Sequence, residues 1–299
     1  MVNTPFNEQR ECKVIRKIDS KELTDRYFAE YGMDVSSYFN GIDAVTLYEC
    51  PESKIRFFLP NSTMGDSAFY EQLQQFDWYY MDWKWEQQQA LELISPKDKI
   101  LEIGSGKGNF IKRLTALNYD VLGIELNKKE VEKCRAEHLN VQQKYLEELD
   151  EEQHKFDVIC SFQVFEHIPN LGSVIEHAAR LLNSGGRLIF SVPNMDAFIK
   201  YNDGGTLNFP PHHVNWFTKK TFEYIALKYN LKLTSLHYEP LQPYHYSWYY
   251  NYVIEKYFSS KISQKIARSS VGEKLIKSMI GMFANRIHSH TVLAEFSKK

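Results

Sequence analysis

The stretch that decides the fold is K-I-L-E-I-G-S-G-K-G-N-F, residues 99–110. It begins with a short apolar run, which is typical of a buried parallel strand. Three glycines follow at alternate positions, and after them apolar residues recur at helical spacing between Phe110 and Leu117. Strand, glycine turn and helix form a unit that binds nucleotide-like ligands, because glycine lets a ligand approach the backbone and the helix start presents unpaired N–H groups.

The spacing of the glycines distinguishes between two kinds of ligand. A dinucleotide-binding turn reads G-x-G-x-x-G and holds a pyrophosphate. Here the turn reads G-x-G-x-G from Gly104 to Gly108, and Glu102 stands two residues before it. A carboxylate at that point disfavours a pyrophosphate and suits a ligand that carries an ammonium group. A glycine turn in some other α/β protein remains the alternative.

Four more apolar runs extend the pattern of parallel strands. Residues 120–125 end in an acid, Glu125, which stands 21 residues after Gly104 and can accept two hydrogen bonds from ribose hydroxyls. Runs at 141–146, 156–162 and 187–194 predict the next three strands. Because ligands in open α/β sheets bind at the carboxyl ends of strands, the segment Q-V-F-E-H-I-P-N at 163–170 is a candidate site.

Together these motifs resemble class I S-adenosylmethionine (SAM)-dependent methyltransferases of the small-molecule subgroup. The resemblance covers residues 89 to about 297, apart from an insert, and rests on the glycine turn, Glu125, the F-D-V-I run at 156–159 with E-H-I-P-N after it, and the G-G-strand-Pro-Asn pattern ending at 194. It implies an α/β, Rossmann-like and mostly parallel sheet. The last strand, at 290–296, would enter antiparallel between the two strands before it.

The resemblance also implies a set of residues around SAM. They are Glu102, Gly104, Ser105, Gly106, Gly108, Asn109, Glu125, Leu126, Tyr145, Leu146, Phe162 and Gln163. In the family Glu102 would lie under the amino group, Glu125 would hold the ribose, and Phe162 and Gln163 would lie beside the sulfur. Tyr145 stands where the family often has an acid that contacts adenine, so the backbone N–H of Leu146 is the remaining candidate for that contact.

The rest of the chain predicts an N-terminal extension and a helical insert. Residues 1–88 would form the extension, with a β-hairpin over 44–60 and an aromatic helix starting at 77 that serves as a lid; 89–299 would be the methyltransferase domain. The residues expected to contact the acceptor or the lid are Tyr79, Tyr80, Trp83, Glu166 and Trp216. The insert, at about 241–286, carries seven basic and two acidic residues between 255 and 286. It is interpreted first as a solvated helical cap. Contact with a membrane or a lipid-linked substrate, or a homodimer, are the alternatives.

Histidine is the candidate general base, since methyl transfer to a hydroxyl requires that its proton be removed near neutral pH. The order of preference is His213, then His167, then His212, the first and last from the run P-P-H-H-V-N-W-F-T at 210–218. For each histidine the alternative to catalysis is a purely structural role, either packing or a bond to a backbone carbonyl. The run resembles a segment of a bacterial subgroup of these methyltransferases that acts on quinone-like phenols or on sugars.

Composition bounds the remaining possibilities. The net charge of −2 gives no reason to expect nucleic acid, and no apolar run approaches the ~20 residues that span a bilayer. No signal peptide is visible and four scattered cysteines (12, 50, 134, 160) predict neither zinc nor disulfides, so a reduced cytoplasmic protein without metal is expected. The function predicted is SAM-dependent methylation of a small molecule. The alternatives are a degenerate SAM-binding protein and, less favoured, an NAD-dependent oxidoreductase.

Overall fold

A computed structural model describes residues 1–76, 79, 81–201 and 205–299. Tyr80, one of the expected lid residues, lies outside the described residues. The strands found in the described ranges are β1 (Val2–Asn3), β2 (Gln9–Arg10), β3 (Lys13–Asp19), β4 (Ala44–Glu49), β5 (Arg56–Leu59), β6 (Lys99–Ile103), β7 (Asp120–Glu125), β8 (Val141–Gln143), β9 (Phe156–Phe162), β10 (Leu182–Pro193), β11 (Asn215–Trp216), β12 (Leu231–Pro240) and β13 (His288–Lys298).

The α-helices of the same ranges alternate with the strands in the middle of the chain and cluster before β13. They are α1 (Ser20–Tyr31), α2 (Ser67–Leu73), α3 (Trp85–Leu93), α4 (Asn109–Ala116), α5 (Lys128–Ala136), α6 (Leu171–Leu181), α7 (Lys219–Lys228), α8 (Tyr246–Tyr257), α9 (Lys261–Ala267) and α10 (Ser270–Phe283).

The central sheet has seven strands in the order β12-β13-β10-β9-β6-β7-β8. β6 pairs in parallel with β7 and β9, and β9 with β10, whereas β13 runs antiparallel to both β10 and β12. The predicted fold class is confirmed, including the insertion of the last strand between its two predecessors. Ile100 and Leu101 of β6 are fully buried, as a strand covered by helices on both faces requires.

A second sheet joins the N-terminal extension to the central domain. Its order is β11-β5-β4-β3, and the predicted hairpin is its β4–β5 pair. β11 comes from the second half of the chain and pairs with β5. Helix α3 spans the expected boundary at residue 88. The extension and the domain therefore share a sheet and a helix, and their division at 88 stays a prediction.

The expected aromatic lid helix forms only in its last part, α3, and its start is wrong in the described residues. Residues 81–84 lie outside any helix, and α3 begins at Trp85 after Lys84 in an extended conformation. The Trp83 indole instead stacks on Phe110 of α4, with ring centroids 6.0 Å apart. The aromatic residues of this segment thus reflect an irregular chain packed on the domain, which the spacing of apolar residues alone does not distinguish from a helix.

The insert forms α8, α9 and α10, which pack beside the second sheet. Ile276 and Ile280 of α10 and Ile254 of α8 belong to its hydrophobic core. A row of apolar side chains on α9 and α10 faces away and is half or more exposed: Ile262, Ile266, Val271, Leu275, Met279, Met282 and Phe283. Among the described residues, no helix combines the length and hydrophobicity that crossing a bilayer needs.

Candidate functional site

The glycine turn between β6 and α4 forms one wall of the site. Gly104, Gly106 and Gly108 have φ angles of 72°, 52° and 74°, a region that side chains with a Cβ rarely adopt. A Cβ on Gly104 would also lie 2.6 Å from Cγ2 of Val164. The backbone of the turn therefore approaches the start of the 163–170 segment closely, which brings the two sequence motifs together.

Glu102 lies buried beneath this turn. Its side chain is 3% exposed, and its Oε2 has no hydrogen-bond partner in the part of the chain that the structure describes. Burial, and then the negative charge of Glu125, raise the pKa of Glu102 well above its usual value. An uncompensated buried carboxyl of this kind is stabilised by a cationic group placed next to it.

Glu125 is already largely occupied by backbone groups. Its Oε2 accepts a hydrogen bond from the N–H of Gly106 at 2.8 Å, and its Oε1 accepts from the N–H groups of Leu126 and Asn127, each at 2.8 Å. A carboxylate offers about four acceptor positions. The structure thus leaves about one for a ligand hydroxyl, whereas the sequence-based expectation was two.

The edge of the sheet at β8 is open. Tyr145 is 61% exposed and its N–H donates to Oε2 of Glu148 at 2.6 Å. Leu146 is buried and Leu126 is 48% exposed. A planar ligand at this edge would therefore meet the Tyr145 and Leu126 side chains at the surface, with Leu146 behind them.

Aromatic rings connect the turn with the end of β9. Phe110 contacts Phe162 edge-to-face at 4.8 Å and stacks on Trp83, which also lies 5.0 Å from the Arg113 guanidinium. Asn109 donates to the carbonyl of Met81 at 3.4 Å, which ties the 81–84 segment to α4. Gln163 follows Phe162 with φ of 54°, a strained value for a residue with a side chain and one often found at functional sites.

Three histidines and one glutamate converge next to this segment, and we call Glu166, His167, His212 and His213 the histidine cluster. The ring centroids of His167 lie 4.6 Å from His212 and 4.8 Å from His213. His167 and His213 each place Nε2 3.9 Å from Oε1 of Glu166. The three base candidates therefore form one site, although His167 stands 45 residues before His212 in the chain.

Each histidine of the cluster is oriented by a carbonyl-type oxygen. Nδ1 of His167 bonds the His212 carbonyl at 2.6 Å, Nδ1 of His212 bonds the Leu207 carbonyl at 2.8 Å, and Nδ1 of His213 bonds Oδ1 of Asn208 at 2.8 Å. Because these oxygens only accept, each Nδ1 carries the hydrogen and each Nε2 keeps a lone pair. Nε2 of His212 is 2.8 Å from the Tyr79 hydroxyl, which donates to it.

Burial shifts the pKa of each residue in the cluster in the direction that favours its neutral form. It raises the pKa of Glu166 to about 8 and lowers the pKa of His167 to about 4. It also lowers the pKa values of His212 and His213 well below their usual value, and the neighbouring rings add to this effect. Neutral imidazoles are the form that can accept a proton or bind a cation.

Trp216 is the expected acceptor contact that the structure places elsewhere. Its indole is 2% exposed, packs against Phe58 and Phe209, and donates to the Asn208 carbonyl at 2.6 Å. It is a core residue of the second sheet, so its expected contact with the acceptor is not supported. A tryptophan close to a candidate histidine in sequence does not reveal on which side of β11 it lies.

Sequence reasoning missed two residues of the site, Asn208 and Lys84. Asn208 holds His213 with its side chain and Trp216 with its carbonyl. The positive charge of the half-buried Lys84 influences Glu166, His167 and His212, and also Glu86 and His290. Lys84 precedes α3 in extended conformation and Asn208 ends a short 3-10 helix, neither within a recognisable motif, so only the three-dimensional contacts reveal them.

Comparisons with known proteins agree with this architecture. A solved structure of a SAM-dependent methyltransferase from Archaeoglobus fulgidus matches 71% of this chain and 90% of its own, with a TM-score of 0.50 at 13% identity. The fold is thus that of the class I SAM-dependent methyltransferases. A family model described as a methyltransferase domain matches residues 78–236, more than half of the chain, and the chain belongs to that family.

Curated relatives match a shorter region. A ubiquinone biosynthesis O-methyltransferase from Alkalilimnicola ehrlichii is 30% identical over 103 residues, which is 32% of this chain and 42% of that protein. The protein of the same name from Nitrosococcus oceani is 35% identical over 103 residues, 32% of this chain and 44% of its own. The chain therefore spans less than half the length of these relatives.

Proposed function

We propose that the protein transfers the methyl group of SAM to an oxygen atom of a small-molecule acceptor, a phenol, a quinone-like compound or a sugar. The observation that carries the proposal is the buried Glu102 carboxylate beneath the three left-handed glycines, with one oxygen unpaired in the described part of the chain. SAM has the complementary features, since its methionine part carries an ammonium group and its ribose carries hydroxyls.

The other contacts with the cofactor would come from residues beside the glycine turn. The free acceptor position of Glu125 would take a ribose hydroxyl, while its other bonds keep the Gly106 backbone in place. Phe162 and the strained Gln163 would lie beside the sulfonium, where an aromatic ring stabilises positive charge. The open edge at Tyr145 and Leu146 would receive the adenine.

The acceptor would bind between the glycine turn and the histidine cluster. Methyl transfer is an in-line displacement, so the protein has to align the acceptor atom with the methyl group and remove a proton if the acceptor is a hydroxyl. An Nε2 lone pair of the cluster suits that proton; His213 is the first candidate, with Asn208 orienting its ring. The O-methyltransferase names of the curated relatives support oxygen as the acceptor atom.

Calorimetric titration with SAM, S-adenosylhomocysteine and NAD tests the cofactor. Binding of the first two and not of NAD is expected, and Glu102→Gln and Glu125→Ala should each weaken it at least about tenfold, in line with ~1.5–3 kcal/mol for a hydrogen bond to a charged group. Glu147→Gln, an exposed acid near the same edge, is the control.

Release of S-adenosylhomocysteine in the presence of candidate acceptors then tests transfer itself. Turnover with a phenol or a sugar supports the proposal. SAM binding without methylation of any acceptor would favour a degenerate SAM-binding protein instead, the alternative to which the exchange of an acid for Tyr145 points. Binding of NAD alone would refute both.

A further inference from the structure

We propose that the histidine cluster binds a divalent transition-metal ion, with His167, His212, His213 and Glu166 as its ligands. The inference deepens the proposed function, and only the chemical role of the ion rests on that function. Ion binding itself depends on the geometry of four side chains. The sequence predicted no metal, because its four cysteines are scattered and form no zinc motif.

The first argument is the direction of the lone pairs. All three rings donate Nδ1–H to an oxygen that can only accept, at 2.6 to 2.8 Å. This leaves an unprotonated Nε2 on each ring. Metal-binding histidines are usually fixed in this way, since a hydrogen bond from the second nitrogen sets the tautomer and aims the ligand atom. Three neighbouring histidines share the arrangement here.

The second argument is distance. One ligand atom from each of the three histidines lies within 4.8 Å of the others, and Oε1 of Glu166 is 3.9 Å from Nε2 of both His167 and His213. In a tetrahedral site with bonds of about 2.0–2.1 Å, ligand atoms lie roughly 3.4 Å apart. Oε1 of Glu166 is therefore about half an ångström too far from Nε2 of the two rings, and the histidine ligand atoms have to approach one another by up to roughly 1.4 Å to hold an ion.

The third argument is the lack of compensation. Glu166 is fully buried, and neither of its oxygens has a hydrogen-bond partner in the described ranges. A carboxyl buried without a hydrogen-bond partner is costly. The Tyr79 hydroxyl bonds Nε2 of His212, and no hydrogen bond of the described residues reaches the Glu166 carboxyl. A single cation would satisfy the carboxylate and all three rings at once.

The ligand set also indicates the class of ion. Three imidazoles and one carboxylate suit Zn²⁺, Fe²⁺, Co²⁺ or Ni²⁺, whereas Mg²⁺ and Ca²⁺ prefer oxygen ligands. The Lys84 charge opposes a cation here, and the buried Glu86 partly offsets it. In the proposed reaction, an ion at this position would bind the acceptor oxygen and lower the pKa of its hydroxyl, whose proton would pass to solvent water; His213 would be the base only in the metal-free site.

Cobalt(II) titration of tag-free, chelator-treated protein tests the site without measuring activity. One ion per chain with visible ligand-field bands is expected. Glu166→Gln and His213→Ala should weaken binding at least about tenfold, as loss of a metal contact does. His245→Ala, at a half-buried histidine outside the cluster, should leave the bands unchanged. Circular dichroism establishes that each variant is folded.

Tyr79→Phe is a second variant, and it is expected to strengthen cobalt binding rather than weaken it. Because the Tyr79 hydroxyl occupies Nε2 of His212, its removal should tighten cobalt binding severalfold. Absence of bands in the wild type, or identical binding by wild type, Glu166→Gln and His213→Ala, would overturn the inference. Cobalt bound at this site by a protein that binds neither SAM nor S-adenosylhomocysteine would support the metal site and refute the proposed function.

Discussion

Nδ1 of His213 donates a hydrogen bond to Oδ1 of Asn208 at 2.8 Å, while the carbonyl of Asn208 accepts from the indole of Trp216. A buried asparagine thus connects a candidate catalytic ring with the core of the second sheet. The side-chain bond fixes the tautomer of His213, and the backbone bond fixes the position of Asn208 itself.

Removal of the side-chain bond should reduce turnover without reducing cofactor affinity. In Asn208→Ala, His213 loses the acceptor that orients it, and we expect turnover to fall about ten- to a hundredfold, as when an outer partner of a functional histidine is removed. The SAM dissociation constant should stay the same. Steady-state kinetics and calorimetry on one preparation measure the two quantities.

Asn208→Asp separates orientation from simple packing. A carboxylate there keeps an acceptor for Nδ1 and adds a negative charge, which stabilises the imidazolium and moves the pKa of His213 upward. The acidic limb of the pH–rate profile should shift to higher pH. An unshifted profile with turnover as low as in Asn208→Ala would show that Asn208 acts only through the core.

Cofactor binding should release a proton through Glu102. Burial and the Glu125 charge raise the pKa of Glu102, so part of the protein is protonated there in the free state. The ammonium of SAM favours the carboxylate, so affinity should rise with pH until Glu102 is ionised without ligand. Calorimetry in two buffers of different ionisation enthalpy measures the released proton, and Glu102→Gln should abolish the difference between the buffers.

Glu239 should make the protein less stable at high pH. Burial raises its pKa to about 7, with Glu86 adding to the shift, and the hydrogen bonds from Tyr244 and from the N–H of Thr291 only partly oppose it. Above pH ~4.5 the unfolded chain loses this proton while the folded protein keeps it until about pH 7. The free energy of unfolding therefore falls as the pH rises across that window.

Glu239→Gln should remove this dependence. We expect the variant to exceed the wild type by on the order of 2 kcal/mol at pH 8 and to equal it near pH 4. Urea unfolding at both values measures the difference, with Glu255→Gln as the exposed control. A wild type whose stability is the same at pH 5 and pH 8 would contradict the prediction.

The insert offers a surface on which its expected membrane contact can be tested. The apolar row of α9 and α10 is exposed, and basic residues such as Lys261, Lys265 and Lys274 are exposed on the same helices. Such a surface should bind anionic vesicles, with about 1 kcal/mol from each basic residue near the lipid. Sedimentation should show binding to phosphatidylserine-containing vesicles that weakens with salt.

Leu275→Ser combined with Met279→Ser should reduce this binding severalfold. Leu227→Ser is the matched control, because Leu227 is 82% exposed on α7, outside the insert. Equal binding of wild type and double variant, or no binding at all, would leave the insert as a solvated cap. A molecular mass that rises with protein concentration in the wild type but not in the double variant would instead support a homodimer.

The sequence by itself determined the central sheet, the glycine turn and the two acids beside it. These features depend on local spacing: an apolar run followed by alternating glycines leaves few conformations open, and an acid at the end of the next parallel strand has to lie at the same edge.

Only the tertiary structure decided how distant segments meet. It brought His212 and His213 to Glu166 and His167, placed Trp216 in the core, began α3 at Trp85 and joined β11 to β5. No local rule governs these contacts, because an irregular segment takes its conformation from what it packs against. The sequence therefore determined the glycine turn and the acids that would hold a cofactor. Long-range packing decided which side chains form the histidine cluster that faces them.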